Sequence, residues 1–146
     1  MSLSREDLER VIETVWSTQL GFQLIAADPG QAESALDPEN TVFAVVAFEG
    51  GFTGRLEQRC SPHVSLSAAA AAFAASGKEV GASDIQDTIT EMAHMTAGNL
   101  KSLLPAGCRV TNVGRSAVAS ENDTTLARAG FTFEAEPLVV DVIQAG

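Results

Sequence analysis

The sequence predicts an α+β domain in which helices pack on one face of a largely antiparallel sheet. Three observations lead to this fold class. Apolar residues recur at helical spacing in two long stretches, a glycine-containing segment separates two apolar strand patterns, and the end of the chain alternates like a pair of strands. Neither a repeat nor a linker divides the 146 residues, so we expect a single domain over residues 1–146.

The chain is expected to begin with an amphipathic helix. Its apolar residues recur three or four positions apart, as on one side of a helix, and they are Leu8, Val11, Ile12, Val15, Trp16 and Leu20. Ser4 is suited to cap this helix, and Gly21 is suited to end it. Residues 28–40 contain two Asp-Pro pairs, which predict a loop.

A β-hairpin is expected next. Residues 41–48 form a continuous apolar run that is rich in β-branched side chains, and residues 52–59 alternate between small or apolar and polar side chains. Gly50 and Gly51 lie between the two runs. Both central residues of a tight hairpin turn can require positive φ, so this pair predicts a two-residue turn.

The second half is predicted to contain two helices and three strands. Pro62, directly after Ser61, opens an alanine-rich helix that extends to residue 76. Ser83 is expected to cap a longer helix that ends at Leu104. The alternating segments that predict strands are 108–118, 131–136 and 138–143.

Composition excludes several classes of function. The chain has 9 Lys and Arg against 19 Asp and Glu, which gives a formal net charge of −10. Such a surface repels nucleic-acid phosphates and anionic lipids, so neither nucleic acid nor membrane is an expected partner. Charged residues occupy the N-terminus and no apolar run is long enough to span a bilayer, so we expect a cytoplasmic protein. Cys60 and Cys108 are expected to be buried free thiols.

The long helix has two contrasting sides. The expected core side comprises Ile85, Ile89, Met92, Thr96, Leu100 and Leu103. The opposite side comprises Asp84, Asp87, Glu91, His94, Gly98 and Lys101. These polar positions recur at spacings of three and four, so they lie along one line. An exposed acidic face would give the same pattern, but a glycine inside a helix costs up to about 1 kcal/mol and indicates a bend or the close approach of another backbone.

The segment from Asp87 to Asn99 resembles the D/S-x3-E-x2-N helix, with its following Gly-Asn step, of the CheC/CheX-type chemotaxis phosphatases. The glycine-containing hairpin at residues 48–56 and the strand pair at 131–143 are similar to parts of the same fold. The single copy of the motif resembles the CheX branch. This resemblance implies a CheX-like α+β fold, a role in chemotaxis or another two-component circuit, and a homodimer.

The resemblance also implies a partner and a reaction. The family's helix docks on a CheY-like receiver domain, where its Glu holds the active-site lysine and its Asn orients water toward the aspartyl phosphate. Glu91 and His94 take these two positions as candidate catalytic residues. The other candidate partner contacts are Asp87, Met95, Gly98, Asn99 and Lys101. No cofactor of the chain's own is expected, because the Mg²⁺ belongs to the receiver.

His94 separates two hypotheses. A carboxamide offers a hydrogen-bond donor and an acceptor at any pH, whereas neutral imidazole offers one of each in a tautomer-dependent geometry and imidazolium only donates. In the first hypothesis His94 still orients water or accepts its proton, one helical turn from Glu91, and the chain is a phosphatase. In the alternative, the chain is a catalytically weak or inactive module that binds a receiver or another partner.

Two further interpretations concern histidine and methionine. Glu91 and His94 also have the E-x-x-H spacing of di-iron helices, but the remaining chain offers mostly strands and only one other histidine, so no metal site is expected. That histidine, His63, is expected at the surface or in a helix cap. Met95 fits either a core contact or an adaptable partner surface.

Overall fold

The computed structural model describes residues 3–111 and 119–146 and confirms the predicted α+β class. The α-helices are α1 (Arg5–Leu20), α2 (Pro29–Ser34), α3 (Pro62–Ala72) and α4 (Ala82–Leu100). The strands are β1 (Ile25–Ala27), β2 (Val42–Gly50), β3 (Gly54–Cys60), β4 (Cys108–Thr111), β5 (Thr124–Phe133) and β6 (Glu136–Gln144). All described strand pairs are antiparallel, and the order across the sheet is β1-β5-β6-β3-β2-β4.

The main core lies between one face of this sheet and the helices α1, α3 and α4. Its largest fully buried aromatic side chains are Trp16 on α1, Phe48 on β2 and Phe131 on β5. Along β6, Leu138 and Val140 enter the same core at alternate positions. α4 lies mainly against β2 and also contacts β3 and β4, so it crosses the β4 half of the sheet.

Both predicted caps of α1 are confirmed. The Ser4 hydroxyl accepts a hydrogen bond from the backbone N–H of Asp7 at 3.0 Å. Gly21 has a φ of 72°, and its N–H donates to the carbonyl of Ser17 at 2.9 Å. In the alanine-rich helix the Ser61 hydroxyl likewise accepts from Val64 N–H at 3.2 Å, although the α-helix ends at Ala72 and a short 3₁₀ turn follows.

The prediction of a loop over residues 28–40 is wrong in its first part, because α2 forms there. The Asp28 carboxylate accepts from the N–H of Gln31 at 3.0 Å, and Pro29 opens the helix. Ala32 and Leu36 form a small separate cluster with Val139 of β6. Val139 alternates with the core residues of β6, so α2 packs on the opposite face of the sheet from the other helices.

Charged side chains hold α2 on this far face. Glu33 pairs with Arg59 of β3 at 3.1 Å and with Arg128 of β5 at 2.5 Å. Both arginines also pair with Asp141 of β6, at 3.1 and 2.5 Å. The hydrogen bond from Arg128 is the largest cause that lowers the pKa of Glu33, with a second bond from Arg59 acting in the same direction.

The predicted two-residue turn at Gly50 and Gly51 is wrong. β2 continues through Gly50 because it also pairs with β4, and Gly50 alone of the two has a positive φ, of 90°. Gly51 is needed for a different reason: a Cβ atom there would overlap the carbonyl oxygen of Ala106, and the Gly51 N–H donates to the carbonyl of Gly107 at 3.3 Å. The hairpin turn therefore spans residues 51–53.

The strands at the end of the chain are confirmed with changed bounds. β4 covers the first part of the predicted strand 108–118, and residues 112–118 lie outside the described residues. β5 begins at Thr124, before the predicted start at residue 131. A two-residue turn at Glu134 and Ala135, both with positive φ, joins it to β6.

Other expectations concern membranes and cysteines. Among the described residues no helix is long and apolar enough to cross a membrane. Cys60 and Cys108 are buried free thiols, as expected. Burial raises the pKa of Cys60 to about 12.

We predict that Gly51→Ala destabilises the fold by about 1–3 kcal/mol, because the added methyl group must displace the backbone at Ala106. Gly98→Ala is the matched control. In the described part of the chain nothing lies within 4 Å of a Cβ atom at Gly98, and Gly98 lies inside α4, so alanine there should stabilise the protein by about 0.5–1 kcal/mol. Urea unfolding of both variants measures the difference, and equal stability of the two variants would contradict this account of Gly51.

Candidate functional site

The buried side of α4 is close to the sequence expectation. Ile89, Met92, Thr96 and Leu100 are buried, as predicted. Ile85 is half-buried. The prediction that Leu103 is buried is wrong, because 38% of this residue is exposed. α4 ends at Leu100, and a 3₁₀ turn, Lys101–Leu103, replaces the predicted last turn of the helix.

A buried hydrogen bond also positions this side of α4. Gln58 of β3 is fully buried, and its Nε2 donates to the carbonyl oxygen of Ile89 at 3.0 Å. A buried amide without a partner would be unfavourable, so this bond opposes rotation of α4 about its own axis.

The start of α4 differs from the prediction that Ser83 caps it. Gly81 is the N-cap residue, and its N–H donates to the Asp84 carboxylate at 2.9 Å. Lys78 Nζ lies 2.7 Å from the same carboxylate, and Asp84 is buried. Asp84 is therefore not part of the exposed polar side that the sequence predicts. The hydrogen bond from Lys78, followed by the one from Gly81, lowers the pKa of Asp84.

The remaining positions of the predicted polar line lie on the outer side of α4, except Lys101, which begins the 3₁₀ turn after the helix. Asp87, Glu91, Gly98 and Lys101 are exposed, and His94 is half-buried. The side chains of Asp87, Glu91 and His94 take part in no hydrogen bond or ion pair within residues 3–111 and 119–146. A carboxylate in this position keeps its full capacity to accept hydrogen bonds from a partner.

Gly98 and Asn99 are the next two predicted contact residues along α4. The sequence suggests that another backbone approaches Gly98 closely or that the helix bends there. Within residues 3–111 and 119–146 nothing lies within 4 Å of a Cβ atom built at Gly98, so the packing of this part of the chain does not require glycine there. Asn99 is exposed, but its Nδ2 donates to the carbonyl of Met95 at 2.7 Å within the same helix. Met95 is half-buried and packs against the main core, which is the core contact considered from the sequence.

A groove adjoins this line of residues where the ends of α1 and α3 meet the middle of α4. Its volume is about 390 Å³. The groove is lined by Gln19, Leu20, Ala72, Phe73, Asp87, Thr88, Glu91, Met92 and Met95. His94 is not among these described residues, and a groove of about 490 Å³ beside α2 contains none of the predicted site residues.

Sequence reasoning missed Gln19 and Phe73 as parts of this groove. Both are at or just after the C-terminal ends of helices, and only the packing of α1 and α3 against α4 brings them into the same groove as Glu91. Phe73 has a further role, because Lys78 Nζ lies 4.9 Å from the centre of its ring and also pairs with Asp84. These two contacts of Lys78 stabilise the connection from α3 to α4 next to the groove.

No three His, Cys, Asp or Glu side chains lie close enough to hold a metal ion within the described part of the chain. His63, the second histidine, is exposed at the start of α3, which confirms its predicted place at the surface. Its Nε2 lies 2.8 Å from a carboxylate oxygen of Glu134 in the β5–β6 turn.

Comparison with known proteins identifies the fold. No family model and no curated protein matches the chain. The chain is similar to CheX in the CheX–CheY–BeF₃–Mg²⁺ complex from Borrelia burgdorferi, with a TM-score of 0.68 and 14% identity over 96% of this chain and 97% of that one. It is also similar to the chemotaxis protein CheX from Desulfovibrio desulfuricans, with a TM-score of 0.63 and 16% identity over 94% and 96% of the two chains.

A CheC-like superfamily protein from a Shewanella species has a TM-score of 0.60 and 14% identity, and 95% of each chain is covered. These similarities extend over nearly the whole chain and nearly the whole of each known structure. The chain therefore has the CheC/CheX-type fold.

We predict that Asp84→Asn lowers stability at neutral pH, because the charged bond to Lys78 is lost at the start of α4. The folded-state pKa of Asp84 is lowered, so its contribution is present above the unfolded-state pKa and disappears as the pH falls through the folded-state pKa. Urea unfolding across this acidic range should show the two proteins converging. A difference that persists after Asp84 is protonated would contradict the proposed ionic contribution.

Proposed function

We propose that the chain binds a CheY-like receiver domain through the outer side of α4 and hydrolyses the receiver's aspartyl phosphate. Glu91 would hold the receiver's active-site lysine, and His94 would occupy the position of the family's water-orienting Asn. The observation that supports this most strongly is the exposed Glu91 carboxylate, which has no partner among the described residues and adjoins the groove.

Three further observations agree with this proposal. The fold is of the CheC/CheX type, and the similar CheX of Borrelia burgdorferi was solved as a complex with CheY, BeF₃ and Mg²⁺. The polar line on α4 follows the spacing of the family's motif. No atom of the described residues lies within 4 Å of a Cβ atom built at Gly98, so another protein can approach the helix closely at that point.

The proposed reaction requires little chemistry from the chain itself. An acyl phosphate is already reactive, and the Mg²⁺ bound by the receiver neutralises charge on the phosphoryl oxygens. A water oxygen attacks phosphorus while the bond to the aspartate oxygen breaks, which yields the free carboxylate and dihydrogen phosphate. Holding that water in line is the contribution that a docked helix can supply, because correct orientation removes much of the entropic barrier.

A second candidate is a receiver-binding module without useful turnover. The observation that favours it is His94, since imidazole replaces the carboxamide that would present a donor and an acceptor to water. Docking through Glu91 would be unchanged in this case. Sequestration or sensing of a phosphorylated receiver would then be the function.

We also propose that the protein is a homodimer, as the resemblance implies. Within the described residues β1 and β4 are the two edges of the sheet, and each pairs with a single strand. An edge strand has backbone groups that a second copy can extend.

We predict that Glu91→Gln lowers kcat/KM for dephosphorylation at least about tenfold, because the amide cannot form an ion pair with the receiver's lysine. The measurement follows the decay of CheY-type receivers from the same genome after phosphorylation with acetyl phosphate. Affinity for the same receiver loaded with BeF₃ and Mg²⁺ should also fall.

Glu39→Gln is the matched control for this substitution. Glu39 is exposed in the segment after α2, outside the groove, so its loss of charge should leave decay and affinity unchanged. Equal effects of the two substitutions would indicate a general charge effect and would count against a specific role of Glu91.

We predict that His94→Asn raises kcat about tenfold or more, because the carboxamide presents both hydrogen-bonding groups to water in a fixed geometry. Affinity for the receiver with BeF₃ should change little. If neither protein accelerates decay while both bind the receiver, the binding module is the correct function. If the substitution abolishes an existing activity, His94 itself performs the chemistry and the proposed weakness of imidazole is wrong.

A further inference from the structure

We infer that Gln19, at the end of α1, provides the carboxamide that helps to hold the attacking water beside Glu91. This inference rests on the proposed function and deepens it. His94 departs from the family's carboxamide, and the described residues of the groove include one residue with such a group. That residue is on a different helix from the motif, so the motif alone does not reveal it.

Gln19 and Glu91 line the same groove. Gln19 and Glu91 line the same space of about 390 Å³, Gln19 from the last turn of α1 and Glu91 from the middle of α4. Leu20 and Met92 contribute apolar parts of the same lining. The carboxamide and the carboxylate therefore border one surface that a docked receiver would cover.

Gln19 has a fixed backbone and a free side chain. The helix around it is anchored by Trp16, which is fully buried, and ends at Gly21, whose N–H donates to the carbonyl of Ser17. No hydrogen bond within the described residues uses the Gln19 amide, and the residue is exposed. The backbone of Gln19 is therefore held in place, while the donor and the acceptor of its side-chain amide both remain available to a ligand.

The carboxamides nearest to the motif along α4 are already engaged. Asn99 donates to the carbonyl of Met95 at 2.7 Å, and Gln86 donates to the carbonyl of Phe43 at 2.9 Å. Neither residue lines the groove. Among the described residues that line the groove with Glu91, Gln19 is therefore the one with an unengaged side-chain amide.

The chemistry assigns each atom of Gln19 a task. Its Oε1 accepts a hydrogen bond from the attacking water and its Nε2 donates to a phosphoryl oxygen, which aligns the water with phosphorus. The amide neither gains nor loses a proton. As the new oxygen–phosphorus bond forms and the bond to the aspartate breaks, both water protons stay with the dihydrogen phosphate product.

The test combines Gln19→Ala with His94→Asn in single and double variants of the full chain. Each protein is mixed with CheY-type receivers of the same genome that have been phosphorylated with acetyl phosphate, and kcat and KM are measured separately. Affinity is measured with the receiver loaded with BeF₃ and Mg²⁺. Gln23→Ala, an exposed glutamine outside the groove, is the matched control.

We expect Gln19→Ala to lower kcat about 10- to 100-fold while KM and affinity stay within about twofold, because only water positioning is lost. His94→Asn in the same chain should restore most of this loss, since it brings a carboxamide back to the site. Gln23→Ala should leave kcat unchanged.

Three results would overturn the inference but leave the proposed function intact: an unchanged kcat in Gln19→Ala, a loss of affinity that accounts for the whole effect, or a loss that His94→Asn does not restore. If the unsubstituted chain accelerates the decay of none of the receivers, both the proposed phosphatase activity and this inference are wrong.

Discussion

The packing of α4 against β2 is the constraint on which the candidate site depends. Ile89, Met92 and Leu100 are buried on one side of the helix, and the bond from Gln58 to the Ile89 carbonyl fixes how the helix is turned. The angle between successive residues of an α-helix is fixed, so the burial of one side of α4 determines that Glu91 points outward on the other side. The exposed carboxylate is therefore a consequence of the core, and it needs no support from neighbouring polar groups.

The ends of the other helices determine what surrounds that carboxylate. α1 stops at Gly21 and α3 stops before Phe73, so the middle of α4 remains uncovered where a longer helix would have hidden it. Lys78 contacts the Phe73 ring and the Asp84 carboxylate, which joins the end of α3 to the beginning of α4. Helix termination thus shapes the site as much as helix periodicity does.

Local signals in the sequence were sufficient to predict both long helices and the caps of α1, because apolar spacing and capping depend on near neighbours, although they misplaced the N-cap of α4. They failed where a distant contact decides the structure. Gly51 looks like part of a tight turn, yet its actual constraint is the backbone at Ala106. α2 has six residues and is stabilised by partners on three separate strands, and β1 has three residues, too few to show alternation. Gln19 belongs to the site through tertiary packing alone.

The two faces of the sheet are held by different forces. Apolar contacts dominate under α1, α3 and α4, whereas α2 depends on Glu33, Asp141 and two arginines as well as a small cluster around Val139. Ion pairs at partly exposed positions weaken in salt because counter-ions screen them, while contacts between apolar side chains are not screened. Concentrated electrolyte therefore loosens the α2 side first, and the protein can lose order on one side of its sheet while α4 keeps its place on the other.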